Sequence, residues 1–197
     1  NVLKMANSSQ YATMLMEANF DAYSPMIKNS IDRFGGSYAD SDFHKWTYGA
    51  NTDWYDELLR TAVMTNHSIG ISGGSDKSTY SLGMSYLAQD GIMDVKNNYK
   101  RLNFRAAIDY DATKWLKVGF NGVFSQSSQI LPNNTAWQQA FNTPGLIPVY
   151  DNNNENAKPE KYASPKSIGL SDNFKNPVAT AKDRKSTRLN SSHLVIS

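Results

Sequence analysis

Three carboxylates stand close together at Asp53, Asp56 and Glu57, a spacing that could serve paired acid and base chemistry. They also lie where a short helix over Thr52–Thr61 would begin. Thr52 or Asp53 would be its N-cap, with Asp56 and Glu57 in the first turn, where the helix dipole favours acids. Capping and dipole compensation account for all three without catalysis. His44 and His67 share no metal-ligand spacing. No Ser-His-Asp constellation stands out, and Gly73-Gly74 reads as a hairpin turn rather than a phosphate loop. No catalytic residue, cofactor site or metal site emerges, and an enzyme is not expected. The remaining chemistry lies in aromatic rings: Trp46, Tyr48, Trp54, Tyr55, Trp137, Phe141 and Tyr150 sit in irregular, polar surroundings. Such rings could stack on sugars, because each joins an apolar face to a polar edge. The plainer reading is that they form the small apolar clusters that long loops need to stay folded. Trp54, Tyr55, Trp137 and Tyr150 are the candidate contacts to a solute or partner.

A regular element must carry these loops, and it lies between Asn66 and Gln126. Ile69 and Ile71 alternate with Ser68, Gly70 and Ser72. Tyr80, Leu82, Met84 and Tyr86 alternate with Ser81, Gly83 and Ser85. Leu102, Phe104, Ala106, Ile108 and Tyr110 alternate with Arg101, Asn103, Arg105, Ala107 and Asp109. Leu116, Val118, Phe120, Gly122 and Phe124 alternate with Lys117, Gly119, Asn121 and Ser125. Period two over four consecutive runs predicts four antiparallel strands in two hairpins. One face is apolar and carries no charge; the other collects every charge. Arg101, Asn103, Arg105, Asp109, Lys117 and Asn121 lie on that polar face, which either lines a water-filled lumen or is a solvated strand face.

The connections are unequal. Turns at 73–78 and 111–114 are short, 89–98 is longer, and long segments flank the four strands at 1–64 and 128–182. Short connections gather on one edge of the sheet and long ones on the other, as in outer-membrane barrels. The early segment is expected to hold a helix within 4–23, capped by Ser8 or Ser9 and ended by Ser24-Pro25, followed by irregular chain to residue 50. The later segment reads as one very long irregular loop.

The chain has 197 residues, with 19% charged and 12% aromatic side chains and no cysteine, so disulfides and thiolate metal sites are excluded. It has no apolar run of about 18 residues for a transmembrane helix, whereas a barrel strand needs only about 9–11. Asn1 is not an initiator, and the chain reads as a fragment. Residues 183–197, with Asp183-Arg184-Lys185-Ser186-Thr187-Arg188-Leu189-Asn190-Ser191-Ser192-His193, resemble the conceptual translation of a sequencing adapter and read as a non-native tail. Three of the 20 basic and one of the 18 acidic residues lie there, so the rest of the chain is charge-balanced. No basic patch points to nucleic acid.

With the strands placed, a family pattern is legible. Thr52-Asp53-Trp54-Tyr55-Asp56-Glu57-Leu58 leads into Asn66-His67-Ser68-Ile69-Gly70-Ile71-Ser72-Gly73-Gly74. Then follow Tyr86-Leu87-Ala88-Gln89-Asp90-Gly91-Ile92, Asn98-Tyr99-Lys100-Arg101 and Lys114-Trp115-Leu116-Lys117-Val118-Gly119. This string resembles the early barrel strands of the SusC/RagA family of TonB-dependent outer-membrane transporters. Tyr11-Ala12 with Glu17-Ala18 resembles that family's first outer loop, and Pro148-Val149-Tyr150-Asp151 with Asn176-Pro177-Val178 a later one. The resemblance covers about 1–181. It implies a mainly β, antiparallel four-stranded piece (65–127) of a large transmembrane barrel with long, partly helical outer loops, beginning just after the family's first strand. It further implies the outer membrane of a Gram-negative cell and import of a large solute such as an oligosaccharide or oligopeptide. A SusD-like surface lipoprotein, outer-membrane lipid and TonB, acting through a plug region not in this sequence, would be the partners. From the residues alone, a surface-displayed glycan-binding β-sandwich remains the alternative, because it too has one apolar and one polar face.

Overall fold

Asn7 starts the first helix, α1 (Ser8–Ala18), instead of the serines that follow it. In this computed structural model, which describes residues 5–152, 161–183 and 188–196, Asn7 Oδ1 accepts from the Gln10 N–H at 2.8 Å. The Gln10 side chain in turn accepts from the Asn7 N–H at 3.1 Å, a reciprocal capping box. Ser8 is buried. The helix expected within 4–23 divides at Asn19, whose extended backbone ends α1 and whose side chain caps α2 (Phe20–Phe34) through the Ala22 N–H. Ser24-Pro25 therefore does not end a helix. Pro25 sits in the second turn of α2, where it forgoes one backbone bond. Buried Ile27 and Ile31, four residues apart, carry the helix past it. Gly35, at φ 96°, closes α2 with its N–H on the Ile31 carbonyl.

A short ladder pairs β1 (Gly36–Ser37) with β2 (Thr47–Tyr48) around a 3-10 turn at Phe43–Lys45. Asp53 caps α3 (Trp54–Leu58), accepting from the Tyr55 and Asp56 N–H groups. The later segment is not irregular: it holds α4 (Thr135–Asn142), a 3-10 turn at Pro165–Ile168 and α5 (Pro177–Lys182), capped by Asn176. These pieces belong to one compact unit, Asn1–Arg60 with Asn133–Arg184. Its core holds Met16, Ile27, Leu146, Ile147 and Ile168. Polar ties join the two stretches. Ser30 Oγ donates to the Leu146 carbonyl at 2.7 Å, Thr52 Oγ1 to the Ile147 carbonyl at 2.7 Å, and Trp54 Nε1 to the Pro144 carbonyl at 3.2 Å. Arg33 meets the buried Asp151 carboxylate at 2.6 Å.

The second unit, Thr61–Pro132 with Lys185–Ser197, is an antiparallel sheet. Its strands are β3 (Met64–Ser75), β4 (Ser78–Asp90), β5 (Asn98–Asp111), β6 (Lys117–Ile130) and β7 (Arg188–Ile196), paired in that order. The four expected strands are present and longer than the alternation alone marked. At one edge β3 and β4 turn through Asp76-Lys77 alone, and β5 and β6 through 112–116. Register places Met64, Gln89, Asn98 and Ile130 at the opposite edge, where the longer connections leave. The Tyr80 ring lies across Gly73: a Cβ there would meet the Tyr80 hydroxyl at 2.5 Å, and the ring would have to turn aside.

Two expectations change. The sheet has five strands rather than four, because 188–196 pairs with β6 from Ile130↔Arg188 to Gly122↔Ile196. An open strand edge offers a row of unpaired N–H and C=O groups, and an extended segment satisfies them whatever its origin. The fold is also mixed rather than mainly β, since the flanking segments bury helical faces of their own. Leu146→Ala should cost about 2–5 kcal/mol of the first unit's stability by opening a cavity. Deleting 183–197 should leave the registers of β3–β6 intact and expose only the β6 amides that faced β7, read by hydrogen exchange. Loss of protection in β4 would contradict this.

Candidate functional site

The polar face of the sheet gathers the six candidate residues in successive rows. Asn103 lies between Ser85 and Ser125, Arg101 between Leu87 and Ser127, and Arg105 between Gly83 and Val123. Asp109 faces Thr79 and Gly119, and Asn121 faces Ala107. Asn103 Nδ2 donates to Ser85 Oγ at 3.0 Å, and Ser125 Oγ donates to Asn103 Oδ1 at 2.8 Å, a polar bridge across three strands. Lys117 Nζ pairs with Asp111 at 3.1 Å beside the turn. Arg101, Arg105, Asp109, Lys117 and Asn121 are exposed. The face can therefore offer two guanidinium groups and two amides to a polar surface or solute.

The opposite face is apolar along the same ladder. Ile69, Met84, Phe104 and Phe124 form one row, and Ile71, Leu82, Ala106 and Gly122 the next. Ile69 is 61% exposed, Met84 48% and Phe104 44%. In water this face would be costly, since single exposed apolar residues are ordinary and a contiguous apolar sheet face is not.

The four loop aromatics part company. Trp54 is only 3% exposed, and its indole anchors the core through Pro144. Tyr55 and Trp137 are half-buried, with ring centroids 5.9 Å apart. Tyr150 is exposed and stacks on Tyr162 at 5.3 Å. A larger aromatic group surrounds Trp46: Phe20 and Tyr38 lie near it, Phe43 lies against Phe20, and Lys28 Nζ sits over the Tyr38 and Trp46 rings at 5.6 and 5.7 Å.

Sequence reasoning missed His44. Its Nδ1 lies 2.9 Å from Asp42 and its Nε2 3.2 Å from Glu17 on α1. A neutral imidazole donates at one nitrogen only, so the imidazolium alone satisfies both carboxylates. These bonds, Asp42 first and Glu17 second, raise the histidine pKa, and the His44 bond lowers that of Asp42. The Asp-x-His spacing was a visible signal; the arrival of Glu17 from α1 was not. Gly70-Ile71-Ser72-Gly73-Gly74 also spells the pattern of a serine nucleophile elbow, yet it runs inside β3, whereas an elbow is a strand-to-helix turn. Among the described residues no group of three His, Asp or Glu side chains could hold a metal.

A group whose pKa rises on folding adds stability that is complete below its unfolded value and vanishes as pH climbs through the folded one. The α1–turn link should therefore hold while His44 is protonated and its carboxylates are ionised, fading above the raised His44 value and again in acid strong enough to protonate Asp42. An NMR titration of the His44 ring should place its pKa above the ordinary histidine value and find it lowered by Glu17→Gln. A ring titrating as a free imidazole in both forms would refute the link.

Sequence comparison bears on the whole. No family model matches the chain. TonB-dependent receptor P3 of Formosa agariphila is 36% identical over 100 residues, covering 48% of this chain and 10% of the receptor. TonB-dependent receptor SusC of Bacteroides thetaiotaomicron is 31% identical over 107 residues, 52% of this chain and 10% of the receptor. TonB-dependent receptor P26 of Formosa agariphila is 33% identical over 79 residues, 40% of this chain and 8% of the receptor. The chain thus spans about a tenth of the length of the curated relatives it matches. Over these stretches the chain is similar to SusC-type TonB-dependent receptors, a class of outer-membrane proteins.

Proposed function

We propose that β3–β6 form part of the wall of an outer-membrane barrel that imports a large nutrient, an oligosaccharide or oligopeptide. The apolar face meets lipid. The polar face, with Arg101, Asn103, Arg105, Asp109, Lys117 and Asn121, meets water, the plug or the solute. Residues 5–60 and 131–182 act as outer loops, in which Tyr55, Trp137 and Tyr150 are the aromatic contacts to solute or to a SusD-like surface lipoprotein. TonB would supply energy through a plug region outside this sequence. The single observation that carries the reading is the apolar face, free of charge from the Tyr86–Leu102 row to the Tyr110–Val118 row and exposed among the described residues across strands in register. A glycan-binding sandwich would bury that face against a second sheet about 10 Å away.

The test compares two substitutions at one position in the complete receptor. Phe104→Lys should cost about 2–4 kcal/mol in a membrane-refolding assay if the residue lies near the bilayer midplane. Phe104→Ala should cost much less, because lipid fills the space that a fixed protein neighbour would leave empty. In a sandwich the alanine alone would cost about 3–5 kcal/mol through its cavity. Alanine as damaging as lysine would end the lipid-facing assignment. Asn103→Ala and Arg105→Ala should leave assembly intact and alter uptake.

A further inference from the structure

The register also fixes where a bilayer would begin and end on this sheet, an inference that rests on the lipid-facing reading above. From the row of Tyr86 and Leu102 to that of Tyr110 and Val118, the apolar face carries no charged side chain. Eight residues separate Leu102 from Tyr110, about 27 Å along a strand at about 3.4 Å per residue. At a barrel tilt of about 40° this is about 21 Å along the membrane normal, close to the apolar band of about 25 Å typical of outer-membrane barrels. Both limits carry aromatic rings with polar tips: Tyr86 at one, Tyr80 and Tyr110 near the other. Trp115, 82% exposed, lies just past the second in the 112–116 turn. Amphipathic rings settle at the headgroup level, where one end is dry and the other wet.

Beyond Tyr86 the same face changes character. The next row pairs Ala88 with Lys100 and Lys100 with Ser128, and the one after it pairs Asp90 with Asn98. Lys100 is exposed. Strands of 12 to 14 residues exceed the roughly 9–11 that a crossing needs.

We infer that the hydrocarbon boundary runs along the Tyr86–Leu102 row at the long-connection edge and just past Tyr110 at the short-turn edge. The last two rows of β4, β5 and β6 then stand clear of the bilayer core, with Lys100 at the level of the lipid phosphates. The sheet thus projects beyond the membrane as a rigid collar from which the long connections start.

The chain contains no cysteine, so single thiols can be introduced within it and labelled with a fluorophore, in a cysteine-free receptor background reconstituted in phosphatidylcholine vesicles. Phe104→Cys should be quenched by a nitroxide at mid-acyl chain and shielded from aqueous iodide. Lys100→Cys and Ser128→Cys should be quenched by iodide several-fold more strongly than Phe104→Cys, and Trp115→Cys most strongly by a headgroup nitroxide. If positions 100 and 128 are as shielded as 104 while 104 meets the acyl nitroxide, the boundary is wrong and the lipid-facing reading stands. If 104 escapes the acyl nitroxide, that reading fails, and the boundary with it.

Discussion

A β-strand shows its side chains alternately to two sides, so the pairing register of a sheet decides which medium each residue meets. Everything in the second unit depends on that single constraint. With Met84 opposite Phe104 and Phe104 opposite Phe124, the apolar rows fall on one side, and Asn103, Arg105 and Asn121 fall on the other. A slip of one residue between β5 and its neighbours would carry Arg101 and Arg105 onto the apolar side. The two-residue turn at Asp76-Lys77 prevents such a slip at β3–β4, and Tyr80 lying across Gly73 adds a steric key there.

The loops obey a different constraint. Four strands are an even number, so the chain leaves β6 at the edge where it entered β3, as the shared level of Met64 and Gln129 records. The segments before and after the strands then fold as one unit, joined by side chains that bond across more than 90 residues of sequence, from Ser30 to Leu146 and from Thr52 to Ile147. Much of the aromatic content of these segments serves that unit. Trp54 is the clearest case: an indole that reads as a ligand platform in the sequence is a buried anchor in the fold. Tyr55 and Trp137 stay half-buried, and Tyr150 stays exposed.

The sheet was legible in the sequence because period-two alternation is a local signal that persists over four runs. The polar face followed from it by parity, so its six candidate residues needed no tertiary information. Helix limits were less legible. Asn19 serves as the end of one helix and the cap of the next, and Pro25 is tolerated inside α2 because Ile27 and Ile31 bury against the core. Both effects are tertiary overrides of strong local rules. The short helices after residue 131 lack periodicity long enough to detect, and the burial of Trp54 depends on a carbonyl 90 residues away. The fifth strand was invisible for another reason: a free sheet edge pairs with whatever extended chain is at hand.

The central claim is that Phe104 and its row meet lipid while Asn103 and Arg105 meet water or protein. The most direct measurement is solid-state NMR of the reconstituted receptor, seeking magnetisation transfer from lipid acyl-chain methylenes to these side chains. Strong transfer to Phe104 and Ile108, with none to Asn103 or Arg105, is the predicted result. Transfer absent from Phe104 and Ile108, with contacts there to other protein side chains, would contradict the account.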